Sequence, residues 1–519
     1  MAFTKRTTDL VMAILLTNSI TFSLLTVASK RVLEVPSDAQ FGLLTSAPVV
    51  FWMGLSLAAL AVALSVRRSR PVFLAATSTL FLIWTGLPAM ILDYPYRLDA
   101  NRVSAIASNL LQSGFIDFSR VGPSYLQFPG FVVLAVQTSA VSGLSSLELA
   151  KWSTFLWAGF FIIAFGLLVE RILGSKPPAR VAILVGSFGT VWLQLHFAPQ
   201  AASIGVTMLV IWVLLSPGVA RTASAILMAT WLAVSHPPSI LFILAVLTAL
   251  WVLKRWFPLV ARNQRDTLGS TNQAPIGQRI PTILAGAAAL WIAWMTFIAT
   301  ATLIGAISLV ATYLRTEGEP SVVGGVRDQY LITTIIRVLV LMIMGCISIG
   351  GTLYLFWRKK ERDLTLLLVV SWLVAAAVFA LILYPLHLLD RAFMVFLPGA
   401  AISVGLLVSA LKRSWLRAAL VAVALVVGAA SAATAYREAS QYIVPFKWVG
   451  SSSLDWRFLN EYPSLPCSKP FIVYVDNFTL LWTAASLGGI ENVNKLKSEY
   501  ENGSIIYADG TTTGYLHSC

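Results

Sequence analysis

Between Leu92 and Gly143 the chain departs from its otherwise apolar character and gathers residues that can do chemistry. Asp93 and Asp99 supply two carboxylates, and Arg97 and Arg102 stand close by. The run Gly122-Pro-Ser-Tyr-Leu-Gln-Phe-Pro-Gly130 comes next. Carboxylates accept protons and guanidinium groups hold anions, so this set suits proton transfer beside a bound anion. Ionisable groups at a membrane boundary are costly to desolvate, and a cluster of them there marks a functional site by default. His196, His236, His387, Arg337 and the pair Asp390-Arg391 also stand at or near the ends of apolar runs.

The elements that must position these residues are membrane helices. The chain is 519 residues long, with 57% hydrophobic and 12% charged residues, whereas a soluble domain carries about 25% charged residues. Apolar runs of roughly 16 to 25 residues predict about thirteen transmembrane helices. Their approximate limits are 9–28, 44–66, 71–91, 149–172, 179–197, 201–216, 221–235, 238–256, 281–301, 330–356, 363–384, 391–411 and 417–436. The first run follows Lys5 and Arg6 and reads as a signal anchor rather than a cleaved leader. The segment 128–142 is short and opens on Phe128-Pro-Gly130, which suits a helix lying in the outer interface.

Charge sets the sidedness. With the N-terminus in the cytoplasm, the inner segments collect more than half of the 37 Lys and Arg and under a quarter of the 23 acidic residues. That is the positive-inside pattern. Counting 128–142 as a span would turn the basic Arg171–Arg180 segment outward, so the same rule supports leaving it out. The net charge of +14 therefore reports orientation and contact with anionic lipid rather than nucleic-acid binding. Asp93, Asp99, Asp390, Arg391 and all four histidines fall on the extracytoplasmic side.

Two domains follow: a transmembrane domain over 1–436, with a large outer loop at 92–148, and a small extracytoplasmic domain over 437–519. In the tail Phe471–Val475 and Ile505–Tyr507 read as strands and Leu480–Leu487 as a short helix, a small α/β unit. Cys467 and Cys519 lie on the oxidising side and are expected to pair, while Cys346 sits within a span. Asn477-Phe-Thr479 and Asn502-Gly-Ser504 are glycosylation sequons in the same tail.

Within the outer loop, Val103, Ile106, Ala107, Leu110 and Leu111 recur at helical spacing up to Ser113-Gly114. Asp99 stands near that helix's N-terminus, where a carboxylate serves equally as a cap. Arg337 lies about 12 Å inside its span at 1.5 Å per residue, and an arginine there snorkels outward or faces a polar cavity. His236, in Ser235-His-Pro-Pro238, and His196, before Phe197-Ala-Pro199, suit contact with phosphate, acceptor or metal, or a plain hydrogen-bonding role. No ligand set for a metal gathers in the sequence, so none is assigned. Walker, Cys-x-x-Cys, His-Glu-x-x-His and Gly-x-Ser-x-Gly motifs do not occur. Neither does the inverted two-half hydropathy of many transporters.

The order of features resembles membrane glycosyltransferases of the GT-C class, which draw a sugar from a polyprenyl or dolichyl phosphate. The matching stretches are Asp93 and Asp99, Leu110–Gly114, Tyr125-Leu-Gln-Phe-Pro-Gly-Phe131, Ser142-Gly-Leu-Ser145 and Glu170–Gly174. His196–Gln200, Ser235–Pro238 and Asp390–Phe393 resemble outer-face motifs of archaeal members. The likeness covers roughly residues 70–415. Two extra spans, beyond the family's pattern, precede the Asp-bearing loop, and no Trp-Trp-Asp-type motif stands in the tail, so transfer onto asparagine is not implied.

The resemblance implies an inverting transfer on the extracytoplasmic face of the cell membrane. Asp99 is its first choice of base and Asp93 the second. Arg391, Arg337, Arg102, His236, His196 and Tyr125 are its substrate-binding residues. A divalent cation, Mg2+ or Mn2+, is compatible with that chemistry. The acceptor, whether glycan, lipid or protein, is left open. The other reading is a transporter or flippase of lipid-linked saccharides, or another envelope-assembly factor.

Overall fold

The computed structural model describes residues 5–28, 41–91, 95, 98–116, 127–174, 177–190, 197–216, 219–256, 276–300, 302–304, 331–358, 364–383 and 389–434, and in the tail 471–475, 504–508 and 513–517. Asp93, Tyr125, His196, His387, Cys467, Cys519 and the helix expected at 480–487 lie outside these residues. For Asp99, Arg102, Asp390 and Arg391 the backbone alone is described.

The chain is a helical, multi-pass membrane protein. Helices α1 (Lys5–Ala28), α2 (Val49–Ser65) and α3 (Arg70–Ile91) open it. Then come α4 (Leu98–Ser113), α5 (Gly130–Ser142) and the long α6 (Ser146–Leu173). The bundle continues with α7 (Pro177–Thr190), α8 (Pro199–Leu214), α9 (Val219–Ser235), α10 (Pro237–Trp256) and α11 (Ile276–Phe297). It ends with α12 (Leu331–Arg358), α13 (Leu364–Leu383), α14 (Leu389–Ala410) and α15 (Ser414–Ala433). Every apolar run expected to span coincides with one of these helices. Among the described residues, 7 helices are long and apolar enough to cross a membrane: α1, α3, α6, α10, α11, α12 and α15. Helices α2, α5 and α8 are shorter apolar helices, as are the described apolar stretches of α13 and α14.

Lipid gives little hydrophobic reason for one apolar helix to pack on another, so close approach and interhelical hydrogen bonds hold such bundles together. Ser19 Oγ donates to the Gly54 carbonyl at 2.7 Å, joining α1 to α2. Ser403 Oγ donates to the Ser348 carbonyl at 3.0 Å and meets Thr352 Oγ1 at 2.8 Å, joining α14 to α12. At the far end of α6, Arg70 pairs with Glu170 at 2.8 Å. There too the buried Arg180 donates to the Ser65 and Val66 carbonyls at 3.2 and 2.6 Å, over the Phe73 ring. Those carbonyls end α2, where a cation favours the helix dipole.

Local signals fix α4 to α6. Gly114 closes α4 at φ +72°, with its N–H on the Leu110 carbonyl at 2.9 Å. Gly143 closes α5 in the same left-handed conformation, with its N–H on the Ser139 carbonyl at 2.9 Å. Ser145 then caps α6 in a reciprocal box with Glu148. In the tail, β1 (Phe471–Val475), β2 (Ser504–Ala508) and β3 (Thr513–His517) form an antiparallel sheet in the order β1-β3-β2. The strands β1 and β2 coincide with the two expected runs. β3 was not expected.

Candidate functional site

Helix α4 carries Asp99 as its second residue and Arg102 one turn later. Ala100, Val103, Ile106 and Ala107 of α4 are buried against Phe131, Val132 and Ala135 of α5, Leu149 and Ala150 of α6, and Phe197 and Ala202 around the start of α8. Asp99 precedes Val103 by four positions in the same helix. Serines fix that helix. Ser146 Oγ donates to the Ser104 carbonyl at 3.0 Å, Ser104 Oγ reaches Ser146 Oγ at 3.3 Å, and Ser108 Oγ bonds Ser146 Oγ as well. The Asp99-bearing helix is therefore stitched to the N-terminus of α6 by three hydroxyls.

The segment 127–131 is the keystone of this end of the bundle. Gln127 is buried, and its carbonyl accepts from the Trp294 indole N–H at 3.0 Å. Its side-chain Oε1 accepts from the Thr302 N–H at 3.0 Å and from the Thr302 hydroxyl. Phe128 packs with Met295 and Ala299 beyond it. Phe131 lies edge-on to Phe197 at 5.0 Å and beside Trp157 at 5.7 Å. The next residue after His196 thus sits in the same apolar cluster as α4 and α5.

His236 occupies the turn between α9 and α10. It is buried, its N–H donates to the Leu232 carbonyl at 2.8 Å, and its Nδ1 meets Ser239 Oγ at 2.8 Å. Gly130 packs directly on this turn. A Cβ at position 130 would stand 2.2 Å from Ser235 Oγ and 3.1 Å from the Val234 carbonyl. Only glycine allows α5 to come that close.

The structure thus brings the Asp99 and Arg102 helix, the 127–131 segment and His236 into one assembly. Arg337 stands elsewhere, at the C-terminus of α15. Its Nε donates to Thr434 Oγ1 at 3.0 Å and its Nη2 to the Thr434 carbonyl at 2.9 Å. The half-buried guanidinium completes a helix end, the polar surrounding that an intramembrane arginine requires. Near it Ser431 Oγ reaches the Gly189 carbonyl at 3.3 Å, tying α15 to the end of α7. Arg391 is the third residue of α14, which packs on α7 and α13.

Helix α14 holds Pro398, and the Trp372 indole N–H donates to the Val395 carbonyl at 2.6 Å. Gln127, Trp294, Ser235 and Trp372 carry no signal in the sequence that marks them as site residues. The tryptophans were legible only as apolar residues, because their hydrogen-bond partners lie on other helices. Among the described residues, no group of three or more His, Cys, Asp or Glu side chains is placed to hold a metal ion.

No family model matches the chain, and no characterised protein matches it in sequence. Solved structures do resemble it. The archaeal oligosaccharyltransferase AglB from Archaeoglobus fulgidus, in complex with an inhibitory peptide and a dolichol-phosphate, aligns at a TM-score of 0.43 and 13% identity over 70% of this chain. The chain spans 55% of that protein's length. The Archaeoglobus fulgidus oligosaccharyltransferase complexed with Zn and sulfate aligns at 0.46 and 14% identity, covering 79% of this chain and 61% of that one. ArnT from Cupriavidus metallidurans, bound to undecaprenyl phosphate, aligns at 0.46 and 12% identity, covering 86% of this chain and 97% of that one.

Proposed function

We infer that this chain is a membrane glycosyltransferase of the GT-C kind, moving a sugar from a polyprenyl or dolichyl phosphate to an acceptor on the extracytoplasmic face. The observation that carries the reading is the fixed seating of α4. Its acid-bearing N-terminal turn belongs to a helix held at one end of the bundle by buried serines, and that end is braced by Gln127 and Trp294. A transporter that alternates access needs parts that rock about a midplane site. A transferase needs a carboxylate held still beside the reacting atoms.

The chemistry runs as one inverting displacement. The acceptor hydroxyl oxygen attacks the anomeric carbon, its proton passes to the Asp99 carboxylate, and the bond from that carbon to the phosphate oxygen breaks. The electron pair leaves on the lipid phosphate. Asp93 is the second choice of base. Arg391, Arg337, Arg102, His236, His196 and Tyr125 hold the phosphate and sugar as negative charge grows on the leaving group. A divalent cation, Mg2+ or Mn2+, would add to that charge stabilisation.

In this reading the N-terminus is cytoplasmic and about thirteen helices cross the bilayer. Helices α4 and α5 lie in the outer interface. Residues 437–519 form an outer lid closed by a Cys467–Cys519 disulfide. The test is transfer in vitro from a panel of polyprenyl-phosphate sugars, comparing wild type with Asp93→Asn and Asp99→Asn. The expected result is a fall of about 10²-fold or more in Asp99→Asn with folding retained. Full activity in both variants would remove the carboxylate base, and no turnover with any donor would favour the transporter.

A further inference from the structure

Ser235 is the last residue of α9 and is 2% exposed, yet its Oγ has no hydrogen-bond partner. A buried hydroxyl without a partner is destabilising, and where it stands against a helix N-terminus a ligand that accepts from both would satisfy it. This hydroxyl points at the start of α5. The missing Cβ of Gly130, the first residue of α5, would stand 2.2 Å from it.

The N-terminus of α5 is itself short of partners. Pro129 takes the cap position, contributes no side-chain cap, and has no N–H. The first bond of the helix runs from the Val133 N–H to the Pro129 carbonyl at 2.8 Å. The N–H groups of Gly130, Phe131 and Val132 are those that an α-helix leaves without an acceptor inside the helix. The first turn holds no acidic residue to answer the positive end of the helix dipole. A buried hydroxyl donor and a bare helix N-terminus thus face one another, and both are completed by the same kind of ligand, an oxyanion.

We propose that Ser235 and the first turn of α5 form an oxyanion subsite that takes the terminal phosphate of a phosphate monoester. The Ser235 hydroxyl and first-turn N–H groups are the donors. Gly130 is the residue that makes the approach possible, because any larger side chain would run into Ser235 Oγ and the Val234 carbonyl. His236 follows Ser235, and its bond from Nδ1 to Ser239 Oγ at 2.8 Å holds the turn in place. The proposal rests on the reading of the chain as a lipid-phosphate-dependent transferase. It adds donors for the lipid phosphate once the sugar has left, when that phosphate is a monoester.

The test is equilibrium binding of farnesyl phosphate to the full chain in detergent, without turnover. Wild type should bind it, inorganic phosphate should compete, and Ser235→Ala should weaken binding about tenfold, the loss of one hydrogen bond to a charged group. Ser235→Cys keeps the volume with a weaker donor and should fall between the two. Thr77→Ala removes another buried hydroxyl without a partner, in α3, and should bind as wild type does. The ligand-free melting temperature of Ser235→Ala should equal or exceed that of wild type. Equal affinity in wild type and Ser235→Ala would overturn the subsite while leaving the donor reading intact. No binding by wild type would overturn both. Competition by phosphatidylglycerol as strong as by farnesyl phosphate would overturn the assignment to a monoester.

Discussion

The Trp294 indole N–H donates to the Gln127 carbonyl at 3.0 Å, tying the last turn of α11 to the residue three positions before α5. This single bond couples the seating of α5 to a helix that begins nearly 150 positions later. Trp294→Phe keeps most of the packing and leaves the buried carbonyl without that donor, a loss of about 1–3 kcal/mol. Thermal stability should fall. Transfer should drop at least tenfold, because a shift of about 1 Å in a catalytic group costs on the order of 10²-fold. Gln127→Ala keeps the carbonyl that Trp294 holds but removes the Oε1 acceptor of Thr302, so it should lower stability through that second contact. Wild-type rate and melting temperature in Trp294→Phe would remove α11 from the positioning of the site.

Arg337 makes its bonds to Thr434 from within a membrane helix, so two readings of it give different measurements. As a helix-end partner only, Arg337→Ala should lower the melting temperature and leave the donor KM alone. As a phosphate contact also, it should raise the donor KM several-fold. Arg337→Lys should rescue part of the KM and little of the stability, because a lysine cannot reproduce the planar pair of donors that reaches both Thr434 oxygens. The expected outcome is both effects. An unchanged KM in both variants would take Arg337 off the list of substrate residues.

Much of this architecture is legible in the sequence, and the part that is not has a physical reason. The end of α4 at Ser113-Gly114 was readable because a left-handed residue favours glycine, and the structure places Gly114 at φ +72°. The run Phe471-Ile-Val-Tyr-Val475 reads as a strand from its β-branched and aromatic residues alone. Thr513–His517 does not, because Gly514 interrupts it. The Gln127–Trp294 and Trp372–Val395 bonds were out of reach. A tryptophan in an apolar run looks like any other large apolar residue until the helix facing it is known. Asp99 illustrates the boundary between the two: its place in the first turn of α4 was readable, but a cap and a base stand at the same position.

Sidedness has a direct check. In a background with Cys346 replaced by serine, Ser270→Cys should react with an impermeant thiol reagent only from the cytoplasmic side, and Ser452→Cys only from outside. Reaction with the opposite sidedness would overturn the assignment of the acidic loop to the outer face. In protein taken from its native membrane, a non-reducing mass map should return one peptide pair linked through Cys467 and Cys519. Two free thiols there would remove the disulfide.

Asp390 and Arg391 stand in the opening turn of α14. Pro398 supplies no N–H to the carbonyl four residues before it, and its ring crowds the preceding turn, so α14 is weakened there. Trp372 is buried, and its N–H holds the Val395 carbonyl at 2.6 Å. Its ring meets Gly399, where a Cβ would stand 2.5 Å from Trp372 Cδ1. The indole therefore grips α14 at Val395 and Gly399, on either side of Pro398 and within the turns that follow Arg391. Trp372→Phe keeps an aromatic ring and removes the donor, so donor KM should rise several-fold with a smaller fall in kcat. If Arg391 holds the phosphate as proposed, Arg391→Ala should lower kcat and raise donor KM together, because one charge would then bind the phosphate and stabilise its departure. If the indole acts on the donor through Arg391, adding Trp372→Phe to Arg391→Ala should change little more. Full additivity of the two variants would mean that Trp372 holds the fold without aiming Arg391.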